Sequence, residues 1–212
     1  MKIVMVGGST RNIGKTSVVE GLIGATADLN WTAVKITQFG HGVCSGDCET
    51  CDCAVNVDQF SITEERSRNT GSDTSRFLAA GARRSLWVRS KQGELYTALP
   101  AFRKEIEKDG FVIVESNSLR NSIEPAVYLQ VLDPSNSDFK SSARQFFDLC
   151  DAYVVVNKAD SNGSVSRDAS LTNQIQKKKP WFTVTKEDRF ISAPVIEFVI
   201  TMLKVGNRGL TE

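Results

Sequence analysis

The stretch GGSTRNIGKTS, residues 7 to 17, follows the strand-like run KIVMV and constrains this chain more than any other. Glycines at a strand–helix junction let backbone N–H groups turn inward around an oxyanion. Gly7, Gly8 and Gly14 stand where such a loop needs them. Lys15 follows, placed to reach the outer phosphates of a nucleotide and stabilise charge on the one transferred. Thr16 opens the next helix, whose N-terminus favours an anion, and its hydroxyl is a candidate Mg²⁺ ligand. Gly8, Asn12, Ile13, Gly14, Lys15, Thr16 and Ser17 are the candidate nucleotide contacts of this loop.

The rest of the chain supplies the frame. Apolar strand-like runs fall at Ile3–Val6, Trp31–Ile36, Ser85–Val88, Phe111–Glu115, Tyr128–Leu132 and Tyr153–Asn157, with a weaker one at Arg189–Ser192. Several are continuously apolar, as strands covered on both faces are. Helical patterns lie between them, at Lys15–Ala27, Asp73–Ala80, Leu95–Lys108, Ser141–Leu149, Val165–Lys178 and Pro194–Leu203. The alternation predicts an α/β fold: a doubly wound, mostly parallel sheet with helices on both faces. No repeat and no second boundary interrupts it, so residues 1–212 read as one nucleotide-binding domain. Thr37 to Ser72 breaks the rhythm and predicts a long loop, with a cysteine-rich insertion at about 40–72.

Charge narrows the partners. Lys and Arg number 26 against 25 Asp and Glu, a net charge of +1. Nothing in that balance marks a nucleic-acid or anionic-membrane surface, and the basic run QKKK at 176–179 reads as a solvated helix end. No apolar run approaches the ~20 residues that cross a bilayer. The N-terminal pattern is not that of a secretory signal, so the expected compartment is the cytoplasm, where thiols stay reduced.

The strict phosphate-loop pattern G-x-x-x-x-G-K-S/T fails by one place, because Ser9 stands at its first glycine and Gly8 precedes it. GSTRNIGKT resembles instead the loop of dethiobiotin synthetase and of the cobyrinic and cobyric acid synthases, members of the SIMIBI class of P-loop NTPases. The resemblance extends along the chain. AVKITQFGHG ends a strand with Lys35, like the lysine-bearing strand end of dethiobiotin synthetase and the corresponding stretch of the molybdopterin-guanine dinucleotide accessory protein. Lys35 is thereby a candidate catalytic contact to a transferred phosphate, against an ordinary exposed strand-end lysine. SDTSRFLAAGA resembles a helix start of that accessory protein, and the resemblance implies Asp73 as a Mg²⁺ ligand. The alternative is that Ser72 or Asp73 merely caps the helix. FVIVESNS ends an apolar strand in Glu115. An acid there costs desolvation unless a metal, a partner or a solvent crevice meets it. Glu115 is the candidate for ordering the Mg²⁺ shell or activating water, and its strand resembles the acidic strand of the nickel-insertion GTPases of urease and hydrogenase.

DAYVVVNKAD, residues 151–160, contains N-K-x-D, the guanine-recognition motif of GTPases. The Asp160 carboxylate accepts from both the N1–H and the exocyclic amine of guanine, a pairing adenine cannot make. Asn157 and Lys158 complete the motif, the lysine stem lying along the base. RFISAP, 189–194, predicts a strand and then Ser192 and Ala193, whose backbone N–H meets the base oxygen. The intervening segment resembles the same region of the nickel-insertion GTPases, although a D-x-x-G switch is missing.

HGVCSGDCETCDC, residues 41–53, places Cys44, Cys48, Cys51 and Cys53 within ten residues. Four thiols so close in a reducing compartment predict a metal site: tetrahedral zinc in preference, a 4Fe–4S cluster as the alternative, free thiols otherwise. His41 reads as a loop histidine, and Cys150 as a small buried apolar residue.

The sequence therefore leads to a Mg²⁺-dependent GTPase, with GTP in preference to ATP, that serves cofactor or metal-centre assembly. It implies a cofactor-assembly or metalloenzyme partner, and the class resemblance implies a homodimer. Two alternatives stand beside it: an ATP-dependent kinase or ligase like dethiobiotin synthetase, and a metal-binding regulatory module whose nucleotide is structural.

Overall fold

The computed structural model describes residues 1–10, 12–40, 60–133, 141–157, 179–185 and 191–205. Among these residues, eight strands form one sheet: β1 (Lys2–Gly8), β2 (Thr32–Phe39), β3 (Phe60–Glu64), β4 (Arg84–Lys91), β5 (Phe111–Glu115), β6 (Val127–Leu132), β7 (Ala152–Val156) and β8 (Trp181–Val184). Their spatial order is β3-β4-β2-β5-β1-β6-β7-β8. All neighbours pair parallel except β3, which runs antiparallel to β4 at one edge. Among the described residues, the α-helices are α1 (Lys15–Ala25), α2 (Asp73–Ala79), α3 (Leu95–Ile106), α4 (Ser141–Phe146) and α5 (Ala193–Val205).

Each continuously apolar strand serves two cores. On β1, Val4 and Val6 pack with Val18, Leu22 and Ile23 of α1, Phe77 of α2 and Val195 and Val199 of α5. Ile3 and Met5 point the other way, against Leu95, Ala98, Phe102 and Ile106 of α3 and Phe146 of α4. That is the period-2 division of a strand covered by helices on both faces. The result is a three-layer α/β sandwich, as the alternating pattern predicts.

The departures lie at the sheet edges. The segment from Thr37 to Ser72 is not all loop: β2 runs on to Phe39, and Phe60–Glu64 forms β3. Among the described residues, the outermost strand on the other side is Trp181–Val184; of the strand expected at Arg189–Ser192, residues 189–190 lie outside the described residues. Ile191 and Ser192 lie outside any strand, and Ile191 packs on Gly21 of α1, where an added Cβ would come within 2.6 Å of it. Its apolar character answers that contact. The helix expected at 165–178 lies outside the described residues. Among the described residues, no helix is long and apolar enough to cross a membrane.

Candidate nucleotide site

The parallel strands carry their loops at their carboxyl ends, the side where open α/β sheets hold ligands. The β1–α1 loop emerges there, and close packing accounts for two of its glycines. Gly7 and Gly8 are strand residues without positive φ; the left-handed positions are Asn12, at φ 56°, and Gly14, at φ 98°. Gly7 is small because a Cβ there would collide with Asn117 Oδ1 and lie 2.6 and 2.7 Å from Tyr128 Oη and Gln130 Oε1. A Cβ on Gly8 would meet Ile13 Cδ1 and Lys15 Cδ, each at 2.7 Å. Asn117, just past β5, grips Gly8 at both ends of its backbone. The Gly8 N–H donates to Oδ1 at 2.8 Å, and Asn117 Nδ2 donates to the Gly8 carbonyl at 2.9 Å.

Gly14 caps α1 with no side chain on the first-turn amides. The N-terminus of this eleven-residue helix, whose N-cap offers no side chain, suits an anion. Lys15 Nζ donates to the loop carbonyl of Thr10 at 2.9 Å, which folds the ammonium back over the loop. Ser17 receives Arg76 Nη2 at 3.3 Å.

The acidic residues converge one strand away. Thr16 Oγ1 donates to Glu115 Oε2 at 2.9 Å. Lys35 Nζ sits between Glu115 Oε1, at 2.6 Å, and Asp73 Oδ2, at 2.7 Å. Glu115 is only 2% exposed, so its charge needs these partners. Half-burial alone would raise the pKa of Asp73, but the hydrogen bond and charge of Lys35, with Thr16 and Arg76, outweigh it and hold the carboxyl below its ordinary value. Lys35 therefore contacts the two acids expected to order Mg²⁺. Helix capping falls to Ser72, whose hydroxyl accepts from the Ser75 N–H at 3.1 Å, and this frees Asp73 for the cluster.

Arg76 ties the helices that carry these groups. Its guanidinium takes Glu20 of α1 through two hydrogen bonds, at 2.9 and 2.6 Å, while Asp73 lies 3.7 Å away. Asn117 and the Arg76–Glu20 pair were not singled out from the sequence, since neither belongs to a spaced motif.

The oxygen set of Thr16, Asp73 and Glu115 is of the kind Mg²⁺ takes, and a single ammonium already bridges two of its members. The residues present fit the ion. On the far side of the sheet centre, Asn157 follows β7, and its N–H donates to Val184 O of β8 at 2.8 Å. Ser192 precedes α5 and its carbonyl accepts from Val195 and Ile196, so that Ala193 opens the helix. Lys158, Asp160, His41, Cys44, Cys48, Cys51 and Cys53 lie outside the described residues. Among the described residues, no group of three or more His, Cys, Asp and Glu is placed to hold a metal.

No protein-family model matches the sequence, and no curated protein does. Solved structures do match in fold. HypB from Helicobacter pylori, solved in complex with nickel, superposes with a TM-score of 0.53 at 16% identity, over 99% of this chain and 90% of that one. The likeness is one of fold, the α/β fold of a P-loop NTPase. Weaker likenesses are MinD in the MinC:MinD cell division complex of Aquifex aeolicus, with TM-score 0.49, 10% identity and coverage of 100% and 98%. MobB from Bacillus subtilis follows at TM-score 0.38, 15% identity and coverage of 95% and 97%.

Proposed function

We propose that the chain is a Mg²⁺-dependent GTPase that serves cofactor or metal-centre assembly. The carrying observation is the convergence of Lys15, Thr16, Asp73 and Glu115 on one loop at the carboxyl ends of β1 and β5. In this reading the first-turn amides of α1 receive the phosphates. Lys15 exchanges the Thr10 carbonyl for phosphate oxygens and neutralises the charge that grows on them during transfer. Mg²⁺ supplies further neutralisation of the outer phosphates, held by Thr16 with Asp73 and Glu115. For these acids to turn to the ion, the Lys35 ammonium must leave them. Lys35 then stands free beside the terminal phosphate. Asn157, Lys158 and Asp160 select guanine, with Ala193 on the base oxygen. The nickel-bound neighbour supports a metal-centre role through likeness of fold, which is support for a class and not for a pathway.

The four cysteines are the proposed zinc or iron–sulfur ligands, and metal analysis of anaerobically purified protein separates those from free thiols. A homodimer follows the class expectation. One observation favours the kinase or ligase reading in second place: Lys35 is positioned inside the cluster by two acids, where an acceptor would meet the terminal phosphate. Nucleotide titration separates the two. The GTPase reading expects GTP to bind at least tenfold tighter than ATP and to be hydrolysed with no added acceptor. ATP preference of tenfold or more overturns it.

A further inference from the structure

A row of side chains crosses the sheet from the candidate site to the β3 edge. Glu115, Lys35, Trp87 and Thr63 are in register on β5, β2, β4 and β3 and share one face. The next row on that face holds Thr37, Arg89 and Ser61, about 7 Å further along β4 toward its carboxyl end. In this second row the Arg89 guanidinium carbon lies 4.6 Å from the centre of the Trp87 ring. Arg89 Nε donates to Ser61 Oγ at 3.1 Å, and Trp87 Nε1 donates to Thr37 Oγ1 at 2.8 Å.

These contacts hold the guanidinium flat by one face and by its Nε side. Among the described residues, its two Nη groups meet no hydrogen-bond acceptor and no carboxylate. Of the other half-buried arginines among the described residues, Arg120 has a buried Nε without a partner, whereas two are paired. Arg76 pairs with Glu20, and Arg84 pairs with Glu64 and Glu105. A stacked, oriented guanidinium with both Nη groups open matches an oxyanion bidentately, and little side-chain freedom is left to lose on binding.

We infer that Arg89, held by Trp87 and Ser61, is an oxyanion subsite for a second small-molecule ligand bound beside the nucleotide, taking its carboxylate or phosphate group. That the ligand lies beside a nucleotide rests on the proposed function; the anion contact itself does not. Lys35, one row away and about 8 Å off by strand spacing, then faces the same ligand from the nucleotide side.

The test uses the indole N–H resonance of Trp87, assigned by its loss in Trp87→Phe. The protein is loaded with GDP and Mg²⁺ so that the phosphate loop is filled. Inorganic phosphate and acetate are then titrated in separate arms. The expected result is a saturable shift of this resonance in at least one arm, phosphate marking a phosphate-bearing ligand and acetate a carboxylate-bearing one. Arg89→Gln is expected to weaken that binding tenfold or more and Arg89→Lys by less, with nucleotide affinity within twofold of the parent in both. A response that does not saturate, or Arg89→Gln titrating like the parent, overturns the subsite. So does a tenfold loss of GDP affinity in Arg89→Gln, which would place Arg89 in the nucleotide site. If GDP does not bind at all, only the nucleotide reading fails, and the same titrations on Lys15→Ala decide the subsite alone.

Discussion

Lys35 is largely buried, with its side chain 17% exposed, and its ammonium pairs with both Asp73 and Glu115. Deleting one partner of such a cluster leaves buried charge unmatched, a loss of about 3 kcal/mol in comparable settings. Lys35→Gln should therefore lower the denaturation midpoint, and added Mg²⁺ should restore part of the loss by taking the place of the ammonium. A variant as stable as the parent, or one that Mg²⁺ leaves unchanged, counts against this arrangement. Asp73 gives a pH signature. Its folded pKa lies below the ordinary 3.8, so the stabilisation is complete above that value and is lost as pH falls through the folded one. Between pH 5 and pH 3, the parent should lose more stability than Asp73→Asn; parallel curves would remove Asp73 from the ion pair. Cys150 behaves differently. Burial pushes its thiol up to about 12, and the residue is 1% exposed. Thiol reagents followed by mass spectrometry should label it only after denaturation.

Among the elements, the phosphate loop shows what the sequence could and could not carry. Gly14, Lys15 and Thr16 are legible as a strand–helix junction, where Gly14 takes the left-handed φ and Lys15 opens α1. Asn117 is silent, because its role is a contact across 109 positions of chain with no periodic signal. Arg76 and Arg89 are silent for the same reason, their partners lying on other elements. Asn117→Ala strips Gly8 of both side-chain hydrogen bonds, which costs ~1–3 kcal/mol when buried groups go unpaired. Nucleotide affinity should fall along with stability, because the loop loses its anchor next to Lys15. Gly7→Ala should act on the same spot by crowding Asn117, Tyr128 and Gln130, for about 1–3 kcal/mol. Unchanged nucleotide affinity in both variants would show that the loop's shape does not depend on this support.

Across the whole molecule, the central strands were readable and the edges were not. Runs such as IVMV and YVVV are apolar throughout because helices cover both faces. β3 reads FSITE and is half-exposed, and β8 is a four-residue strand with Trp181 in solvent; edge strands bury too little to leave an apolar run. The parallel order, by contrast, follows from the strand–helix alternation itself and brings the ends of β1, β2 and β5 together. That convergence makes the central claim a thermodynamic one: a triphosphate with Mg²⁺ binds the folded state through Lys15. At a hundredfold excess over Kd the ligand adds ~2.7 kcal/mol to stability, so the melting temperature should rise by several degrees. Calorimetric titration of GTP with Mg²⁺ into the parent and into Lys15→Ala is the most direct measurement. Saturable binding by the parent, weakened at least a hundredfold in the variant, is the predicted result; no binding by the parent, or equal binding by both, contradicts it.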